Sequence, residues 1–219
     1  MPTIAENLQR LVNAKDAIAT AITTKGGTVG QNDGLEDFAT DIDTIPTGDG
    51  GEISLTFTST YSDKVPQIYG NSFTQYIKSA TVRDGVTELA NSAFYNCKNM
   101  TSVTLPDSIT TLGVSVFYEC RALLSVDLPP NITTIPESAF YNCFALTGIT
   151  IPEGVTSIKS LAFYECDSLD TVVIPSTVTT ISSNAFEYAH VNKMIINKPE
   201  GSISGAPWQG GVDELIWTG

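Results

Sequence analysis

A repeat solenoid preceded by a small α-helical hairpin is the fold class this sequence predicts, and three columns of residues predict it. Phe94, Phe117, Phe140, Phe163 and Phe186, each following Ala or Val, stand 23 residues apart. Pro106, Pro129, Pro152 and Pro175 keep the same interval, and so do Cys97, Cys120, Cys143 and Cys166. Insertions between copies are therefore absent, and each copy is one equivalent structural unit. Such an array buries its core turn by turn and needs no globular centre.

Taken in order, the chain opens on an amphipathic pattern. Between Thr3 and Thr24 the apolar residues Ile4, Leu8, Leu11, Ala14, Ile18, Ala21 and Ile22 follow the three-, four- and seven-residue steps of a helix, which Gly26-Gly27 would end. A second helix is expected from Gly34 to Thr44, with Leu35, Phe38, Ile42 and Ile45 on one face, Asp33 as N-cap and Pro46 as stop. The resulting hairpin, residues 1–46, is too small to stand alone. Its stripe of Leu8, Leu11, Ile18 and Ile22 is thus expected to mediate self-association or to pack on a partner. Residues 47–51, Thr-Gly-Asp-Gly-Gly, have the composition of a flexible linker.

Residues 52–76 are expected to cap the solenoid: Ile53, Leu55 and Phe57 alternate as in a half-buried strand, and Asn71-Ser72-Phe73 resembles a repeat out of register. Full units occupy residues 77–192 and begin at Ile77, Met100, Leu123, Leu146 and Leu169. In each, Val103 and Leu105 or their equivalents alternate with small polar residues, a strand with one face inward, and proline ends it because it has no N–H for the ladder. The turn that follows holds Gly85, Ser108, Asn131, Gly154 or Thr177, of which the glycines and the asparagine are compatible with a positive φ. The β-branched pairs Val86-Thr87, Ile109-Thr110, Ile132-Thr133, Val155-Thr156 and Val178-Thr179 predict a second short strand, bent before Leu89 and its equivalents. The Ala-Phe-Tyr-Asn-Cys segment reads as a helical turn, with Phe94 and Cys97 three apart on one face. Glu187 and Ala189 break the pattern in the last unit, and residues 193–219, with Trp208 and Trp217, are expected to cap the array.

The run Leu146-x-x-Ile149-x-Ile151-Pro152, Val155-Thr156-x-Ile158, Ala162-Phe163-x-x-Cys166-x-x-Leu169 resembles the BspA-like, treponemal class of leucine-rich repeat. The resemblance covers about residues 77–192 and implies a right-handed superhelix of β/α-turn units, its strands side by side in one parallel sheet. The opening segment, from Ile4-Ala5-Glu6-Asn7-Leu8 to Ile45-Pro46-Thr47-Gly48, and the tail around Trp208 and Trp217 resemble parts of tail proteins of bacteriophages that infect Gram-positive gut bacteria.

Charge narrows the function. A net charge of -13, with 24 acids against 11 Lys and Arg, leaves no basic face for nucleic acid. No stretch approaches the roughly 20 apolar residues of a membrane span, so no membrane insertion is expected. Met1 to Arg10 lacks the basic and apolar regions of a cleaved signal, which reads as a soluble chain not exported that way. The four cysteines form one column, which cannot surround a metal ion; the reading is buried free thiols, with disulfides between neighbours strained by the strand spacing. The tyrosine column Tyr95, Tyr118, Tyr141 and Tyr164 must be partly exposed, as a cover for the core edge or as a binding surface. His190 is the sole histidine and no nucleophile elbow or phosphate loop occurs, so the expectation is a non-enzyme with no catalytic residues, metal or cofactor.

Two functions follow. The first is a bacteriophage tail appendage or receptor-binding protein, located in the virion, with a host-surface protein or glycan and other virion proteins as partners and a homotrimer by analogy with tail fibres. The alternative is a BspA-like interaction module of the bacterial surface or interior. In either, the binding face is placed on the outward strand residues Ser102, Thr104, Ser125, Asp127, Thr150, Thr171 and Val173, where small side chains leave room for a ligand.

Overall fold

The computed structural model describes residues 53–57, 64–65, 74–203 and 211–219. The hairpin expected over residues 1–46, its stripe of Leu8, Leu11, Ile18 and Ile22, the linker at 47–51 and Trp208 lie outside the described residues. Along the chain come β1 (Ile53–Phe57), β2 (Lys64–Val65), a single 3-10 turn (Thr74–Tyr76), β3 (Ile77–Val82), β4 (Glu88–Leu89), β5 (Ser102–Thr104) and β6 (Thr111–Leu112). There follow β7 (Ser125–Asp127), β8 (Thr134–Ile135), β9 (Gly148–Thr150), β10 (Ser157–Ile158), β11 (Leu169–Ile174), β12 (Thr180–Ile181), β13 (His190–Ile196) and β14 (Gly211–Trp217).

The odd-numbered strands line up in one parallel sheet of eight, in the order β1-β3-β5-β7-β9-β11-β13-β14. The two-residue strands form two further sheets of three on another side of the coil, β2-β4-β6 and β8-β10-β12. A common repeat length sets the register: Ser79 lies opposite Ser102, Ser102 opposite Ser125, and Ser125 opposite Gly148. The interior is a set of columns. Phe94, Phe117, Phe140, Phe163 and Phe186 are fully buried and stack with ring centroids 5.4, 5.3, 5.3 and 4.9 Å apart.

Two local expectations are corrected, and one point the sequence left open is resolved. The Ala-Phe-Tyr-Asn-Cys segment is not helical but a run of tight turns in which Ser92 (φ 59°) and Asn96 (φ 63°) are left-handed, as are Ser115, Glu119, Ser138, Asn142, Leu161, Glu165 and Tyr188 in later units. In a helical turn all N–H groups point along the helix axis. Here alternate N–H groups point along the solenoid instead: Ser92 donates to the carbonyl of Val114 at 2.8 Å, Phe94 to Val116 at 2.8 Å and Asn96 to Tyr118 at 2.7 Å. The left-handed residues turn those groups outward from each loop, so the unit is all β and turn.

The second strand begins one residue after the Val-Thr pair, at Glu88, Thr111, Thr134, Ser157 and Thr180. The paired threonine instead links turns from just outside the strand: Thr110 donates to the carbonyl of Thr87 through N–H at 2.9 Å and through Oγ1 at 3.3 Å. In the turn after the first strand, only Gly85 (φ 94°) has a positive φ; Asn131 and Gly154 do not. At the far end, β14 lies parallel to β13 with Trp217 opposite Ile196, so the tail adds a strand to the sheet, and Trp217 packs half-buried on the core. No helix among the described residues is long and apolar enough to cross a membrane.

Candidate binding face

Alternation along each short strand decides what the eight-stranded sheet shows to solvent. Val103, Val126, Ile149 and Val172 point inward and are buried, which turns their neighbours out. Ser102, Thr104, Ser125, Asp127, Thr150 and Val173 are exposed, and Thr171 is half-buried. The seven expected site residues therefore share one face. Gly148, between Ser125 and the next strand, has no atom within 4 Å of where a Cβ would sit, so it leaves a notch in the row. Leu124, next to Ser125 in the chain, is 52% exposed. Its neighbours Thr101 and Thr147 tie their hydroxyls to the carbonyls of Lys78 (3.2 Å) and Leu124 (3.3 Å).

Two features of this face were not anticipated. Beyond Thr104 the sheet ends in a recess of about 630 Å³, lined by Val82, Arg83, Asp84, Leu105, Pro106 and Asp107. At the other end, Val173 is followed in register by Ile195 and Ile216, so the outward row changes from polar to aliphatic. The signal was hidden by a slip in the period. Val173 to Ile195 is 22 residues, and counting 23 lands on the buried Ile196. The doublet Val173-Ile174 recurring as Ile195-Ile196 was the available clue.

The other candidate groups are occupied structurally. All four cysteines are free and buried. The thiols of Cys120, Cys143 and Cys166 donate to the carbonyls of Phe94, Phe117 and Phe140 at 3.1, 3.2 and 3.1 Å, and burial pushes all three well above the usual thiol range. Among the described residues no cluster of His, Cys, Asp and Glu could hold a metal ion. His190 lies exposed, its Nε2 3.4 Å from the Asp213 carboxylate. Tyr95, Tyr118, Tyr141 and Tyr164 stack face to face at 4.7, 4.5 and 4.4 Å, with Tyr188 edge-on at the end. Each ring covers the next, so only edges and hydroxyls reach water, and burial raises Tyr141 to about 12. That row closes the core edge and leaves few ring faces for a ligand.

Comparison with known proteins agrees with this architecture. The BspA type leucine rich repeat region matches residues 56–203 in 6 copies. Among solved structures, a leucine rich cell surface protein from Faecalibacterium prausnitzii is 27% identical, covers 78% of this chain and superposes with a TM-score of 0.51. A leucine-rich repeat protein from T. pallidum is 26% identical over 74% of this chain and 74% of its own, TM-score 0.54. One from Bacteroides ovatus shares the fold at 21% identity, over 65% of this chain and 43% of its own, with a TM-score of 0.54. The chain spans 37% of the length of the F. prausnitzii protein. No curated protein sequence matches it.

Proposed function

Because this chain belongs to the BspA type leucine-rich repeat family, we propose that it is a non-enzymatic binding protein of a bacterial cell surface, holding its partner on the outward face of the eight-stranded sheet. The observation that carries the reading is the unbroken register of small outward side chains. Ser102, Ser125 and Gly148 are aligned across three strands, and neither bulk nor an internal hydrophobic role accounts for an open notch at Gly148. Concave sheets of solenoids offer such extended contact surfaces. The description of the F. prausnitzii neighbour as a cell surface protein supports the location, and a surface protein or glycan is the partner class that suits a polar, shallow face.

A bulky residue tests the face directly. Thr150→Trp should abolish attachment of the fluorescently labelled chain to cells that bind the unaltered chain, while Thr133→Trp, near the short strands, should leave it intact. The reverse pattern would move the site to the other side of the coil. A second reading, a virion component, rests on the resemblance of the opening segment to phage tail proteins. Mass spectrometry of purified virions decides it: absence of this chain removes that reading and leaves the binding face untouched.

A further inference from the structure

Apolar side chains on the solvent face of a sheet need a reason, since the inner columns are already filled. Val173 is 37% exposed, and Ile195 and Ile216 beside it are half-buried on the same face of β11, β13 and β14. The inward neighbours Ile174 and Ile196 are fully buried, so the core does not require the outward trio. Further back on these three strands stand Asp170, Asp213 and Glu214, with Lys193 as the one lysine or arginine among them. Lys193 approaches Glu214 at 3.1 Å and His190 approaches Asp213 at 3.4 Å, yet the two carboxylates stay 56% and 60% exposed. Asp170 meets an amide, Asn192 Nδ2 at 2.9 Å, rather than a cation.

Two residues behind the aliphatic row stand Thr171, Lys193 and Glu214 in register, with Asp170 and Asp213 one residue further back, so the patch is an aliphatic row backed by three carboxylates and one lysine. Neighbouring strands lie about 4.8 Å apart and a helix rises about 5.4 Å per turn, so a helix laid across the strands would bring one residue per turn to each strand. A second copy of the chain is a poor occupant, because each carries a net charge of -13.

We propose that this end of the sheet docks a basic amphipathic helix, its apolar stripe crossing Val173, Ile195 and Ile216 and its flanking lysines or arginines meeting Asp170, Asp213 and Glu214. The inference rests on the outward face being the binding face. The probe is a labelled synthetic helix of about 18 residues with leucines in one stripe and lysines beside it, long enough to be helical when bound. Anisotropy should show binding to the intact chain, with affinity falling about tenfold for Ile195→Ser and for Val173→Ser, in line with the loss of a central contact. Asp170→Asn with Glu214→Gln should weaken binding and flatten its salt dependence, and Thr133→Ser, by the short strands and off this face, should change nothing.

A scrambled peptide of the same composition should bind at least about tenfold more weakly, since bulk charge alone lacks the stripe. Equal binding of the scrambled peptide, unchanged affinity of both serine variants, or no binding of the striped peptide at about 100 μM would each overturn the proposal. Melting temperatures of the two serine variants identify any loss caused by unfolding. If the docking fails while Thr150→Trp still blocks attachment, the binding face stands and the helix does not.

Discussion

The carbonyl of Phe117 accepts two hydrogen bonds, one from the N–H of Cys120 at 3.1 Å and one from the thiol of Cys143 at 3.2 Å. A thiol suits this place because it packs as a small hydrophobe yet still donates. Ionisation would remove the donor and bury a charge, so the folded thiols of Cys120, Cys143 and Cys166 titrate far above their unfolded value of about 8.5. The proton is held more tightly in the folded state, so this contribution to stability is whole below pH of about 8.5 and is lost as pH rises above it. Denaturant midpoints should therefore fall across that window, less steeply in Cys143→Ala, and a soluble alkylating reagent should label Cys143 only on unfolding. A second expectation concerns the neighbouring columns: Phe140→Ala should cost about 3–5 kcal/mol and Tyr141→Ala much less, since Phe140 is fully buried and Tyr141 is not. Equal losses in melting temperature would reverse the faces. The phenylalanine column was legible because identical residues recur at one interval. The thiol bond was not, because it joins residues 26 apart, one repeat plus three, and only the coil brings them together.

Elements were legible where side-chain chemistry decides them and obscure where the backbone does. Proline after each strand and the alternation around Val103 mark β5 and its equivalents in the sequence. The turn segments are different: nothing in Ser92, Ser115 or Glu119 announces a left-handed residue, and each of these donates its N–H to a carbonyl of the next turn. Two glycines separate these influences. Gly113 is packed so closely that a Cβ would meet the backbone of Ala90 and Asn91 at 2.3 Å, and Gly113→Ala should destabilise by about 3 kcal/mol. Gly148 meets nothing, has no positive φ and sits inside a strand, so Gly148→Ala should stabilise by about 0.5–1 kcal/mol. Thermal melts of the two variants should move in opposite directions. If Gly148→Ala also weakens attachment to cells, the notch serves the partner at a cost in stability.

The molecule as a whole is one-dimensional: each turn touches its two neighbours, so energetic coupling should die away within a turn or two. Phe117 and Phe140 are in ring contact at 5.3 Å, and their alanine substitutions should be non-additive in a double-mutant cycle. Phe94 and Phe186 are separated by three intervening rings, and their effects should sum within about 0.5 kcal/mol. The repeat architecture was readable at this scale from a single period, whereas the aliphatic end of the outward row was lost when that period shortened by one residue. The ladders that join the turns also have a direction. Their hydrogen bonds run along the axis of the coil, so tension applied to its two ends pulls on one interface at a time and peels the array like a zip. Each released turn of 23 residues would lengthen the tether by roughly 75 Å, the extended length of the segment less one strand spacing. A chain fixed at one end and gripped at the other by a moving partner would give way in even strides, lengthening under strain while its remaining turns keep their shape.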